Sequence, residues 1–148
     1  MQEDFSKYNG EGTILRKAQL RMLNILIEVD KICRKHNITY WLDGGTCLGA
    51  MRHKGFIPWD DDIDISIMRK DYKRLRKILQ EELPVNLAFQ DETTDKKYPS
   101  KMIKIRDRHS YFEEQEIKVP LKEQGIFIDI FLIERGNVKI KTFVDFFY

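Results

Sequence analysis

Pro58-Trp59-Asp60-Asp61-Asp62-Ile63-Asp64-Ile65 concentrates more chemistry than any other stretch of the chain. Four of the five residues from Asp60 to Asp64 are carboxylates, and they run straight into Ile65, Ile67 and Met68. Side chains along a strand alternate faces, so Asp60, Asp62 and Asp64 are expected on one face and Ile63, Ile65 and Ile67 on the other. The isoleucine face suits a core and aims the acids away from it. Like charges a few ångströms apart repel unless a cation sits between them, and a divalent metal bound through carboxylate oxygens meets that need. The competing reading is a solvated acidic turn ahead of an ordinary strand, since most charge runs face solvent. Continuation of the acids into the strand favours the metal.

A second segment supplies a further acid. Gly125 to Ile133 is apolar throughout except for Asp129. A strand of that composition is expected to be buried on both faces, where an unpaired carboxylate is costly. Asp129 is either ion-paired to a core arginine or set beside Asp62 and Asp64 as a third ligand. The existing acid cluster favours the second.

Other residues point to phosphate. Ile38 to Asp43 reads as a short strand ending in Gly44-Gly45-Thr46, with a helix from Thr46 to about Lys54 closed by Gly55. Glycines between strand and helix let backbone N–H groups approach an anion, although a Gly-Gly pair is more often only a turn. Arg52, His53 and Lys54 form a small basic cluster near the helix end. Beside an acidic metal site, Arg52 and Lys54 could hold substrate phosphates. Lys104 and Arg106, on one face of an expected strand over 101–106, are further candidates.

These groups need elements to position them. Leu15, Met22, Leu26, Val29 and Cys33 recur at helical spacing, predicting a helix of about twenty residues from an N-cap at Thr13 to a stop at Asn37, with His36 in a capping role at its C-terminal end, where a cation is favoured. A second helix is expected from Lys70 to about Leu83, ended by Pro84. Its basic face reads as solvated, with peripheral association at a membrane surface as the alternative. Asn86 to Gln90 reads as a strand, and Tyr111 to Val119 has no clear period.

The 148 residues suit one domain, with 42% hydrophobic and 34% charged residues. A formal net charge of +2 is too small to argue for nucleic acid. Cys33 and Cys47 lack metal-ligand spacing and read as reduced thiols, which favours a cytoplasmic setting, with the inner face of the membrane as a refinement. Met1-Gln-Glu-Asp4 does not resemble a secretion signal, and no apolar run reaches the length of a membrane span. Residues 1–12 are expected to form a loose arm and 13–148 the folded core. The apolar end Lys141 to Tyr148 leads to the expectation of a chain cut short, or one that packs its end on something else.

The run from Tyr40 to Ile65, holding Asp43-Gly-Gly-Thr46 and Pro58-Trp-Asp-Asp-Asp-Ile-Asp64, resembles the LicD family, which includes bacterial phosphorylcholine transferases and is similar to the fukutin-type proteins. The resemblance implies an α+β nucleotidyltransferase-like fold, a small mixed sheet flanked by helices. It implies a phosphate-binding turn at Gly44, Gly45 and Thr46. It implies metal ligands at Asp62, Asp64 and Asp129, with Asp60 as a further ligand, holding Mg²⁺ or Mn²⁺. It also implies transfer of a phosphoryl-alcohol group, such as phosphorylcholine, from a CDP-activated donor to a sugar of a cell-surface glycan such as teichoic acid or lipopolysaccharide. Sixteen residues separate Gly45 from Asp62, more than is usual in the wider superfamily. The alternatives are a nucleotidyltransferase adding NMP to a protein or small molecule, and a non-catalytic binding module.

Overall fold

The computed structural model describes residues 4–98, 102–114 and 117–135. A short helix, α1 (Ser6–Asn9), falls inside the stretch read as an arm, while the apolar end at 141–148 lies outside the described residues. Helix α2 (Ile14–Lys35) starts where Thr13 was expected to cap it: the Thr13 hydroxyl oxygen accepts the Arg16 N–H at 3.2 Å. It ends with Arg34, Lys35 and the cap residue His36 beside the last unpaired carbonyls, and Asn37 turns the chain at φ 52°. Met22, Ile25 and Val29, followed by Ile32 and Cys33 three and four residues on, are buried along one stripe.

Strand β1 (Tyr40–Leu42) leads into α3 (Gly44–His53), a loop, β2 (Asp64–Met68), α4 (Arg69–Glu82), β3 (Leu87–Gln90), β4 (Ile103–Asp107) and β5 (Phe127–Ile133). The sheet order is β1-β2-β5-β4-β3. β2 and β5 run parallel, and the other three pairings are antiparallel. This is the expected α+β arrangement.

Register decides what each face carries, because side chains of paired residues stand on the same side of a sheet. Ile65 pairs with Ile130, and Ile130 with Ile103. These three belong to the core that α2 and α4 cover through Met22, Ile25, Val29, Leu75 and Leu79. Each such side chain, fully buried, contributes about 1.5–3 kcal/mol. The opposite face is polar: Asp64 pairs with Asp129, and Asp129 with Lys104.

Two expectations need correction. Gly44 and Gly45 are not a turn ahead of a helix; they are its first two residues, with Asp43 as N-cap, and the helix is closed by Lys54 in the left-handed region rather than by Gly55. β5 is buried on both faces only in its first half. Ile128, Asp129 and Ile130 are buried but Ile133 is 37% exposed; among the described residues β4 pairs with 127–130 and β2 with 129–133.

Candidate functional site

Asp43 joins β1 to α3 and binds groups from two elements. One carboxylate oxygen accepts the Gly44 N–H at 2.8 Å and the other accepts the Ser66 hydroxyl of β2. Those bonds, Ser66 first, hold its carboxyl below the usual carboxylate range. Sequence reasoning missed Asp43 as a site residue, although an aspartate directly before Gly-Gly-Thr at a helix start carries the signature of an N-cap.

Asp64 opens β2. Its N–H donates to the Thr46 hydroxyl oxygen at 2.9 Å, tying α3 to the strand. Its carboxyl is pushed up to about 6, chiefly by burial and then by the charges of Asp62, Asp129, Asp43 and Asp60. Acids from the β1–α3 junction, the loop and β5 therefore all act on one carboxylate.

Asp129 is 7% exposed. Lys104 lies 3.0 Å from its Oδ1 and donates to Oδ2 at 3.2 Å, yet Oδ1 has no aligned hydrogen-bond donor. Burial raises its pKa and the lysine opposes that rise. The two alternatives read from sequence thus coexist in part: the acid stands beside Asp64 and is also ion-paired, to a lysine rather than an arginine.

The acid run does not alternate as a strand would. Asp60, Asp61 and Asp62 precede β2 in a loop, and each places a carboxylate oxygen within 4.8 Å of the others. Asp61, expected to face away, joins the group because a loop has no two-residue period. The loop is fixed by its backbone: the fully buried Gln19 of α2 donates to the Asp60 carbonyl at 2.8 Å, and the Asp129 N–H donates to the Ile63 carbonyl at 2.9 Å.

The two glycines admit the acids. Gly44 has φ +46° and lies against the Asp64 carboxylate, where an added Cβ would stand 3.7 Å from it; a Cβ on Gly45 would come to 2.7 Å from an Asp60 carboxylate oxygen. Asp60 and Asp64 thereby face the positive end of α3, whose first N–H groups have no helical partners. Beside them a cleft of about 490 Å³ opens between α2, α3 and residues 55–63, with Thr46 and Asp60 in its wall and Arg16 and Lys54 among its cations.

The four basic candidates separate. Arg52 and Lys54 are exposed at the end of α3. Lys104 and Arg106 face inward. Lys104 contacts Asp129 and Glu114 and lies 3.3 Å from the centre of the Phe127 ring. Arg106, fully buried, binds Gln90, the Gly125 carbonyl and Glu114. Both are tied by these contacts to the polar face of the sheet.

Residues 37–146 match the family described as LicD/FKTN/FKRP, nucleotidyltransferase domain. The chain belongs to this family. Among LicD-family relatives, it is similar to the lipopolysaccharide cholinephosphotransferase LicD of Haemophilus influenzae, 39% identical over 123 residues, 81% of this chain and 44% of that protein. It is also similar to the human ribitol-5-phosphate transferase FKTN, 32% identical over 91 residues, 59% of this chain and 17% of that protein. A 34-residue stretch is 53% identical to human ribitol 5-phosphate transferase FKRP, covering 23% of this chain and 7% of that protein. The chain thus spans less than half the length of these relatives. No helix among its described residues is long and apolar enough to cross a membrane.

Proposed function

We propose that this chain carries the catalytic site of a LicD-type transferase. It moves a phosphoryl-alcohol group, with phosphorylcholine as the leading candidate, from a CDP-activated donor to a hydroxyl of a cell-surface glycan. The observation that carries the reading is the pairing of Asp64 with Asp129 across two parallel strands, on the face of the sheet opposite the apolar core.

The donor set suits a hard divalent cation such as Mg²⁺ or Mn²⁺. It is all oxygen, the charges of Asp62 and Asp129 bear on Asp64, and Asp129 Oδ1 is a buried acceptor with no aligned donor, while the three acids whose carboxylate oxygens lie within 4.8 Å of one another are Asp60, Asp61 and Asp62. Asp62, Asp64 and Asp129 would hold the ion, with Asp60 beside them. Neutralisation of charge on the donor's diphosphate and on the departing CMP is the chemistry that a divalent ion would supply there. The chain does the rest. Lys104 offsets part of the charge of Asp129 and fixes its orientation. Asp60, at the mouth of the cleft, takes the proton of the attacking hydroxyl. The first N–H groups of α3 bind phosphate oxygens at the acids, while Lys54, which lines the cleft, and the exposed Arg52 offset charge at the far end of the helix.

The test offers CDP-choline, CDP-ribitol and the four NTPs as donors, with and without EDTA, to the full-length protein and a glycan acceptor. Metal-dependent release of CMP from a CDP-alcohol is expected. Release of pyrophosphate from an NTP instead would assign the chain to nucleotidyl transfer. Turnover undiminished by EDTA would remove the metal from the proposal.

Gly45→Ala provides a separate check. The new methyl displaces the Asp60 carboxylate, an adjustment a side chain can make without unfolding the helix. Mn²⁺ affinity is expected to fall about tenfold, with Tm changing by less than about 3 °C. Calorimetric titration with Mn²⁺ reads the first and thermal unfolding the second. Unchanged affinity would mean that the position of Asp60 does not matter to the ion.

A further inference from the structure

We propose that the rings of Trp59 and Tyr8 form the subsite for a quaternary ammonium on the donor's alcohol. This rests on the transferase reading above and adds the residues that would select a cationic alcohol over a neutral polyol. Trp59 is the immediate chain neighbour of Asp60, and its ring packs with Tyr8, Phe5 and His53. Four aromatic side chains gather there. The Tyr8 and Trp59 centroids are 5.2 Å apart at 65°, Phe5 and Trp59 6.0 Å, Phe5 and His53 5.5 Å, and His53 and Trp59 6.4 Å.

Phe5 and His53, half-buried, form the inner part of this cluster, while Trp59 is 54% and Tyr8 41% exposed. Two open rings meeting at a steep angle make a corner, and a trimethylammonium can lie against both faces at once. Such a group has no hydrogen-bond donor, so π-faces and nearby carboxylates are what can recognise it. The exposed Lys7, the chain neighbour of Tyr8, has its ammonium 4.8 Å from the centre of the Tyr8 ring, and a ligand's ammonium must replace it there.

The rings are fixed relative to the acids. Asn9, which ends α1, donates to Gln19 at 2.9 Å, and Gln19 donates to the Asp60 carbonyl at 2.8 Å. The helix that carries Tyr8 and the loop that carries the carboxylates are thus joined through one buried amide. The short two-carbon bridge of phosphorylcholine would keep its ammonium close to a phosphate held at the acids. α1 lies outside the residues matched to the family, 37–146, so Tyr8 and Phe5 are contributed by sequence beyond the common domain.

Phosphocholine and its neutral isostere 3,3-dimethylbutyl phosphate have nearly the same shape and differ in the positive charge. Binding of each to the full chain, saturated with Mn²⁺, is read by Trp59 fluorescence in a Trp41→Phe background and by calorimetry. Phosphocholine is expected to bind about tenfold more tightly than the isostere. Tyr8→Leu and Trp59→Leu, the latter read by calorimetry alone, should bring the ratio close to one, while Trp59→Phe keeps most of it. Equal affinity for the two probes, no detectable phosphocholine binding, or a ratio that survives both leucine variants would overturn the proposal. Loss of this subsite leaves the transferase reading intact if metal-dependent CMP release from CDP-ribitol persists. Absence of all CDP-alcohol turnover with the ratio preserved would overturn the transferase reading instead.

Discussion

Asp64→Asn is expected to lower metal-dependent transfer by about a thousandfold and, in the same molecule, to stabilise the metal-free fold. The two effects share one cause. Asp64 is partly buried amid the charges of Asp62, Asp129, Asp43 and Asp60, which together with burial hold its carboxyl at about 6. Its ionised form is therefore disfavoured in the folded state and not in the unfolded chain. A carboxyl raised in this way gives its full stability below the unfolded value, near 4, and loses it as pH rises through about 6. At pH 7 in EDTA, wild type therefore bears a cost that the asparagine variant lacks. After allowance for solvent screening that cost is on the order of 1 kcal/mol, a Tm difference of roughly 3 °C. The difference should open between pH 4 and 6 and be nearly absent at pH 4. Added Mn²⁺ should reverse the order, because it stabilises only the chain that can bind it. Thermal unfolding at three pH values, with and without the ion, checks each part. A variant less stable than wild type at pH 7 in EDTA would show that the acids are already balanced by the protein.

Gly125→Ala is expected to be the most damaging single-methyl addition at any described glycine, destabilising the fold by more than about 4 kcal/mol. A Cβ there would stand 1.7 Å from the Asp107 carbonyl oxygen and 2.7 Å from its carbon. Both are backbone atoms, so no side chain can yield. The neighbouring bonds would break with the shift: the Asp107 N–H donates to the Ile126 carbonyl at 2.7 Å, the Ile126 N–H to the Ser110 hydroxyl oxygen at 2.9 Å, and Arg106 to the Gly125 carbonyl at 2.9 Å. Loss of the last would leave a fully buried guanidinium short of a partner and loosen Glu114, which also meets Lys104 and so bears on Asp129. Gly55→Ala is the control, since nothing lies within 4 Å of the added methyl. Urea unfolding of both variants decides the matter: a Gly125→Ala protein within about 1 kcal/mol of wild type would contradict the close packing of these segments.

Much of this was legible in the chain, because local rules acted without tertiary help. The cap at Thr13, the turn at Asn37, the apolar stripe of α2 and the division of Ile65 and Ile67 from Asp64 all follow from periods of 3.6 and 2 and from which side chains bond their own backbone. The acids were legible as a group because four of them are contiguous with a strand. Tertiary structure decided what depends on pairing across the chain. Sequence alone could not tell whether Asp129 would face Asp64, since a shift of one residue in the β2–β5 register would turn it into the core. Nor could it assign Lys104 and Arg106. A lysine and an arginine in a strand look ready for phosphate; the fold brings Glu114 to both and the Gly125 carbonyl to Arg106. The bond from Ser66 to Asp43 likewise spans the chain, whereas Asp61 entered the acid group because its loop has no two-residue period. Whether a charged side chain meets a ligand or a protein partner depends on what folds against it from far along the chain, and no local pattern records that.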